Sequence, residues 1–351
     1  MSATKIAVGL SGGVDSSVAA ALLKSQGYEV VGITMKLWRE GRYRGGAKDA
    51  CFGPGEEQDI ARAEKLCREL DIPYYVFDCA DEYEKIVLEY FRAEYLAGKT
   101  PNPCVRCNAF MKFGVLPNLA RKSGVDFEKF ATGHYARIRE ENGVFHLFRG
   151  VDEKKDQSYF LYRLKQSQLA KLLFPLGGLN KTEVRELAAK FGLEVKDKPD
   201  SQDFYSGEYT ELLNTPPRQG AIVDASGKTL GTHEGFWNYT IGQRKGLGVA
   251  VNQHPLYVLD LVPCRNEVVV GSVEDTIAHE LKLTDCSWIS GDAPSGEALV
   301  KVRSASKLLL AAFENNVLQF PEGVFAAARG QSAVLYRETE VLGGGIISEV
   351  R

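Results

Sequence analysis

The run Gly9-Leu10-Ser11-Gly12-Gly13-Val14-Asp15-Ser16 sits between an apolar strand-like stretch, Lys5–Leu10, and a helical stretch from about Ser16 to Gln26. Two adjacent glycines let the backbone turn tightly and bring its N–H groups close to an anion, and the helix N-terminus adds unpaired donors and a partial positive charge. Ser11 and Ser16 can donate further hydrogen bonds to phosphate oxygens, and Asp15 can hold Mg²⁺ bridging them. No Gly-Lys-Ser/Thr follows, so this is not a Walker A loop, and the GxGxxG spacing of a dinucleotide site is absent. A cradle that takes the β- and γ-phosphates as a unit leaves the α-phosphorus open to attack. Its products are pyrophosphate and an adenylated substrate, in which AMP has become a leaving group.

The same alternation continues for about 200 residues. Tyr28–Met35, Pro73–Asp78 and Phe127–Gly133 read as strands, while Glu56–Leu70, Asp81–Leu96, Ser167–Leu173 and Lys181–Phe191 read as helices. Strands alternating with helices of this length predict a parallel sheet covered on both faces. After Lys198 the texture becomes short β-like runs, such as Tyr257–Leu261, Glu267–Val270, Ala298–Val302 and Ala333–Tyr336, many of them separated by turn clusters. The expected organisation is a nucleotide-binding domain over 1–198, a central β-rich module over 199–272 and a C-terminal β domain over 273–351.

A chain of 351 residues exceeds one core's usual size, in keeping with several domains. No basic stretch precedes an apolar run at the N-terminus, and no run of eighteen apolar residues occurs, so neither a signal peptide nor a membrane span is expected. Seven cysteines argue for free or metal-bound thiols over a disulfide framework, and the cytoplasm is the expected compartment. With a formal net charge of −3, any nucleic-acid partner has to be held by local basic patches.

The second chemical signal is Thr100-Pro101-Asn102-Pro103-Cys104-Val105-Arg106-Cys107-Asn108, followed by Met111-Lys112-Phe113. The prolines predict an extended loop before a helix starting near Asn108. That would put Cys107 at a helix N-terminus, where the dipole, Arg106 and Lys112 favour the thiolate. A single CxxC is compatible with half a zinc site, a redox pair or two ordinary thiols. No second CxxC or paired histidine supplies the ligands structural zinc needs. Elsewhere Cys67, Cys79 and Cys286 read as buried hydrophobes and Cys264 as a turn thiol. Arg39–Lys48 reads as a solvated, glycine-rich loop or a phosphate-contacting flap.

The phosphate loop resembles the SGGxDS signature of PP-loop ATP pyrophosphatases. Taken with the Asn102–Asn108 block, the chain resembles the bacterial tRNA-specific 2-thiouridylases over nearly its whole length. The likeness extends through Ala131-Thr132-Gly133-His134-Tyr135-Ala136, Lys155-Asp156-Gln157-Ser158, Asp200-Ser201-Gln202-Asp203, Tyr239–Gly248, Gly330–Val334 and Val341–Ile347. The fold it implies is α/β. A parallel-sheet PP-loop (adenine nucleotide alpha hydrolase-like) domain is followed by a small β-rich domain and a C-terminal β-barrel. It also implies ATP, with Mg²⁺, held by Gly9, Leu10, Ser11, Gly12, Gly13, Val14, Asp15, Ser16, Met35 and Gly133. The C2 oxygen of the wobble uridine of tRNA is adenylated and sulfur then displaces AMP, with Cys107 as nucleophile. Asn102, Pro103 and Cys104 would lie against the target base, and His134, Lys155, Asp156, Gln157 and Gln331 would contact tRNA. A PP-loop ligase or amidotransferase acting on a small molecule is the competing reading of the loop alone.

Two departures bear on the sulfur. Cys104 stands where the family usually has Asp, and Tyr205 stands where it carries a second, persulfide-bearing cysteine. Cys104 and Cys107 could form a local relay fed by a persulfide-carrying protein. Alternatively they could bind an iron–sulfur cluster with Cys51 as third ligand, one iron staying open to hydrosulfide.

Overall fold

The strand–helix alternation builds a parallel sheet in the computed structural model, which describes residues 4–46, 50–194, 203–249 and 255–351. Along this part run β1 (Lys5–Gly9), β2 (Glu29–Lys36), β3 (Ala50–Phe52), β4 (Tyr74–Asp78), β5 (Lys129–Ala131), β6 (Ala136–Glu141), β7 (Val144–Arg149), β8 (Leu172–Leu173) and β9 (Asp203–Tyr205). Five of them form the sheet, in the order β4-β2-β1-β5-β8, every pair parallel. Side chains alternate across it. Ile6 and Val8 pack with Val18, Ala19 and Ala188 on one face, and Ala7 packs with Phe113 and Leu116 on the other. The chain leaves β1 for β2 on one side and reaches β5 on the other, so a crevice opens beyond the C-terminal ends of β1 and β5. That is where ligands bind in open parallel sheets.

The β-rich half follows as expected. β10 (Gly220–Asp224), β11 (Thr229–His233), β12 (Tyr257–Val262) and β13 (Glu267–Gly271) make a four-stranded sheet. β14 (Ile277–Trp288), β15 (Gly296–Lys301), β16 (Leu309–Glu314), β17 (Val317–Phe325), β18 (Ser332–Arg337) and β19 (Glu340–Val350) follow it. They close into a six-stranded barrel because β14 pairs with both β17 and β19. Among the described residues no helix is long and apolar enough to cross a membrane. The expected domain boundary at 198/199, the Asp200-Ser201-Gln202 block and His254 lie outside the described residues.

Three elements differ from the sequence expectation. The segment Ser167–Leu173 is a short helix, Gln166–Leu169, followed by β8, because Leu172 and Leu173 find parallel partners in Phe130 and Ala131. The hairpin β6–β7 extends the barrel's sheet, pairing Leu147 with Val341 and Phe148 with Glu340, while its Leu147 packs in one core with Ala7 and Ile33 of the first domain. The central module also contains a helix, Tyr209–Leu213, whose Leu212 and Leu213 share one core with Phe91 of the first domain and Val258 of the four-stranded sheet. The domains therefore share apolar cores rather than meeting at polar seams. Leu147 is fully buried where hairpin meets barrel. Leu147→Ala is expected to cost about 2–5 kcal/mol and to lower the melting of the nucleotide-binding domain and barrel together in one calorimetric transition.

Candidate active site

The chain leaves β1 through Leu10, whose N–H donates to Ile33 O (2.9 Å) and whose carbonyl accepts from Thr34 Oγ1 (2.8 Å). It then turns at Gly12, in the left-handed region at φ +67°, where a Cβ would stand 2.4 Å from the Asp59 carbonyl oxygen. Only glycine fits there, which brings the loop down onto helix α2 (Glu56–Glu69). Helix α1 (Val14–Ser25) starts at Gly13 without a side-chain cap, so its first N–H groups remain available to an anion. The Ser11 N–H donates to Ser16 Oγ at 3.2 Å, and the two hydroxyls lie 3.3 Å apart. Met35 lies near the C-terminal end of β2, on the same edge of the sheet.

The opposite wall of the crevice is the turn after β5. A Cβ on Gly133 would lie 2.6 Å from the Asp15 carbonyl carbon and 2.8 Å from the Ser16 nitrogen, so this backbone touches the head of α1 directly. Asp15 is then gripped from two sides. Lys181 Nζ donates to both its carboxylate oxygens at 2.8 and 2.9 Å, and Tyr135 OH donates at 2.8 Å. Residues 9–16 contain no cation, so Lys181, with its side chain 12% exposed, brings the charge a polyphosphate requires. Sequence reasoning assigned Lys181 no role. The Asn180/Glu183 capping box that starts its helix is legible, but the docking of that helix against α1 is a tertiary event. Tyr135 in turn is clamped by Gln157, whose Oε1 accepts from the Tyr135 N–H (3.0 Å) while its own N–H donates to Tyr135 O (3.0 Å).

The cysteine loop starts its helix earlier than expected. Asn102 caps it, accepting from the Val105 N–H at 3.1 Å, and Pro103 occupies the first turn. Cys107 therefore lies a turn inside, at the start of a π-helical stretch running to Val115. The expectation of a dipole-favoured thiolate is corrected accordingly. Burial pushes the Cys107 thiol up to about 11, opposed by the half-buried Lys112 ammonium, and pushes Cys104 up to about 12. Arg106 turns away and donates to Ile86 O. Cys51, Cys104 and Cys107 are near enough for their charges to interact with one another and with Lys112. Tyr205 is fully buried and its hydroxyl binds Glu211 and the Gly45 N–H, so it anchors the loop after β2. Strands β3 and β9 pair with Ala50 opposite Asp203 and Phe52 opposite Tyr205, which brings Cys51 beside the strand containing Tyr205. All seven cysteines are free, with Cys286 half-buried rather than buried. Among the described residues no group of three or more His, Cys, Asp or Glu side chains is arranged to hold a metal ion.

The remaining sequence-predicted residues surround this centre. His134 is buried between Phe113 and Phe174, hydrogen-bonded to Thr132 Oγ1 at 2.7 Å, and burial with the nearby Lys112 charge holds it neutral. Asp156 presents no side-chain surface. Its carboxylate accepts from the Gly150 and Ser158 N–H groups, the Ser158 hydroxyl and Arg149, with Lys301 of the barrel 3.8 Å away. Lys155 beside it is half-buried. Gln331, from the barrel, donates to Thr100 O (3.1 Å) and Pro101 O (3.5 Å), seating the loop that leads into Asn102.

Two measurements follow from this geometry. Lys181→Ala, which leaves Asp15 with Tyr135 as its described hydrogen-bond donor, is expected to weaken ATP binding on the order of tenfold in calorimetric titration. Lys112→Met removes the cation that opposes burial, so the Cys107 pKa rises further. The thiolate fraction at about pH 8 then falls, and alkylation of the Cys107 peptide, followed by mass spectrometry, becomes slower than in the unsubstituted protein.

Three family matches tile the chain: the tRNA methyl transferase HUP domain over residues 4–205, the tRNA methyl transferase PRC-barrel domain over 212–272 and the aminomethyltransferase beta-barrel domain over 278–347. Similar proteins include the tRNA-specific 2-thiouridylase of Endomicrobium trichonymphae, 47% identical over 98% of both chains. Those of Geobacter metallireducens, 43% identical over 98% of this chain and 96% of that one, and Clostridium perfringens, 41% identical over the whole of both, are also similar. With this identity over nearly its entire length, the chain belongs to the tRNA-specific 2-thiouridylase family.

Proposed function

We propose that this protein is a tRNA-uridine 2-sulfurtransferase that adenylates the C2 oxygen of the wobble uridine and replaces it with sulfur. The observation that carries the reading is the continuity of the crevice. Gly133 touches the head of α1, the next residue, His134, feels the charge of Lys112, and the same charge acts on Cys107. An ATP held by residues 9–16, Met35 and Gly133 would thus present its α-phosphate toward the cysteine loop. The uracil C2 oxygen attacks that phosphorus, pyrophosphate leaves, and sulfur then adds at C2 and expels AMP. Mg²⁺ held by Asp15 would neutralise the phosphates, and the carboxylate, 27% exposed, is open enough to accept it.

The tRNA side of the reading divides the predicted residues by what they can physically do. Asn102, Pro103 and Cys104 lie against the target base. Lys155 supplies charge to a phosphate. Asp156 and Gln157, whose side chains are paired within the protein, act by holding their loop, and Gln331 acts by seating Thr100 and Pro101. His134 contributes an uncharged ring.

Sulfur is handled by the thiols around Cys107. The coupling of Cys51, Cys104 and Cys107 supports two arrangements: a relay in which one thiol bears a persulfide and another resolves it, or a three-thiolate iron–sulfur cluster. A cluster would leave one iron open to exogenous hydrosulfide and needs the three thiols to draw together, since among the described residues no such group is arranged to hold a metal ion, whereas the relay needs a persulfide-carrying protein. A small-molecule ligase, the competing reading, needs none of these thiols.

The primary test is tRNA-stimulated pyrophosphate release together with mass spectrometry of the wobble uridine. Asp15→Ala is expected to abolish both. Cys107→Ser is expected to remove 2-thiouridine while ATP still binds. Release stimulated by a small amino acid or nucleotide instead of tRNA would assign the ligase activity. Anaerobic iron and sulfide analysis separates the two sulfur arrangements, since activity without bound iron assigns the relay.

A further inference from the structure

Next to Cys107 the protein exposes a ring it could have buried. Phe110 is 40% exposed, although Ala109, Met111 and Phe113 around it are buried. Two guanidiniums flank it. The Arg106 Cζ lies 5.3 Å from the Phe110 ring centroid and 4.4 Å from that of Tyr90, and the Arg163 Cζ lies 5.9 Å from Phe110. Arg163 is held in place from the barrel, donating to Asp285 O at 3.0 Å and Asp285 Oδ1 at 2.9 Å. Arg106 is held by its bond to Ile86 O and has no carboxylate partner among the described residues. The result is an exposed aromatic ring with two guanidiniums over it, one of them without a carboxylate partner among the described residues, three residues from Cys107 along one helical stretch.

We propose that Phe110, with Arg106 and Arg163, is a stacking platform for an unpaired nucleobase adjoining the target uridine. This rests on the sulfurtransferase reading above. A uridine presented to a half-buried cysteine in a crevice must leave the stack of its loop, and the neighbouring base loses that contact. Single-stranded RNA bases recover it on aromatic rings and guanidinium planes, while the cation meets the adjoining phosphate. The patch matches those demands in chemistry. The ring supplies a π face, Arg106 supplies the charge, and the ion pair of Arg163 with Asp285 keeps the far side from moving.

The test is equilibrium binding of an isolated anticodon stem-loop, with and without ATP, to the full-length protein. Phe110→Ala and Phe110→Leu are expected to weaken binding roughly tenfold without changing its salt dependence, since neither removes a charge. Phe110→Trp is expected to retain affinity. Arg106→Met is expected to weaken binding and lower the salt slope by about one. Unchanged affinity in both Phe110→Ala and Phe110→Leu overturns the platform. So does a pattern in which these variants bind RNA normally but lose sulfur transfer from a donor protein, which would make the patch a protein dock. If the unsubstituted protein neither binds the stem-loop nor thiolates tRNA, the sulfurtransferase reading itself has failed, and the platform falls with it.

Discussion

The contact between Gly133 and the head of α1 is the constraint on which the site depends. Two backbones meet there with no side chain between them, at the point where the sheet order reverses around β1 and β5. This closeness lets Tyr135 and Lys181 reach Asp15 from outside the phosphate loop. The loop itself carries no cation, so its electrostatics are completed by residues more than a hundred positions away. Any side chain at 133 would lever α1 off its wall and separate the phosphate site from the cysteine loop.

The C-terminal barrel does more than decorate this centre. Its Arg329 carbonyl accepts from the Thr100 N–H at 2.8 Å and Gln331 binds the next two carbonyls, so the segment leading into the CxxC is built on the barrel. Arg303 ties the barrel to the central module by donating to Ile241 O, and the β6–β7 hairpin ties it to the first domain. The barrel thus shapes this loop directly, and the central module is tied to that barrel. This explains physically why a long β half accompanies a nucleotide-binding fold here.

Within the cysteine loop two opposing terms set reactivity. Burial disfavours the thiolates, while the nearby Lys112 ammonium favours them. Burial is the larger, so the resting state holds neutral thiols. The reactivity of Cys107 therefore depends on what enters the crevice to alter that balance. Tyr205 illustrates the same economy of space. At the position of an expected cysteine it fills the core under the loop after β2, and Cys51 comes to stand on the neighbouring strand.

Much was legible from the residues alone. The glycine pair between strand and helix defined the phosphate loop, the alternating apolar runs defined the parallel sheet, and the short runs after Lys198 defined a β half. All of these are local patterns whose physics lies within a few residues. Where the reading went astray, a distant partner had decided. Leu172 and Leu173 became a strand because Phe130 and Ala131 lay open beside them, and Leu147 and Phe148 found their partners in Val341 and Glu340 of the distant barrel. Asn102 and Pro103 carried the signal for an earlier helix start, which the two-proline loop reading overrode. Lys181, the raised pKa of Cys107 and the guanidinium-flanked ring of Phe110 were beyond any local pattern. Charge pairing, desolvation and exposure are properties of the packed chain, and only the tertiary structure decides them.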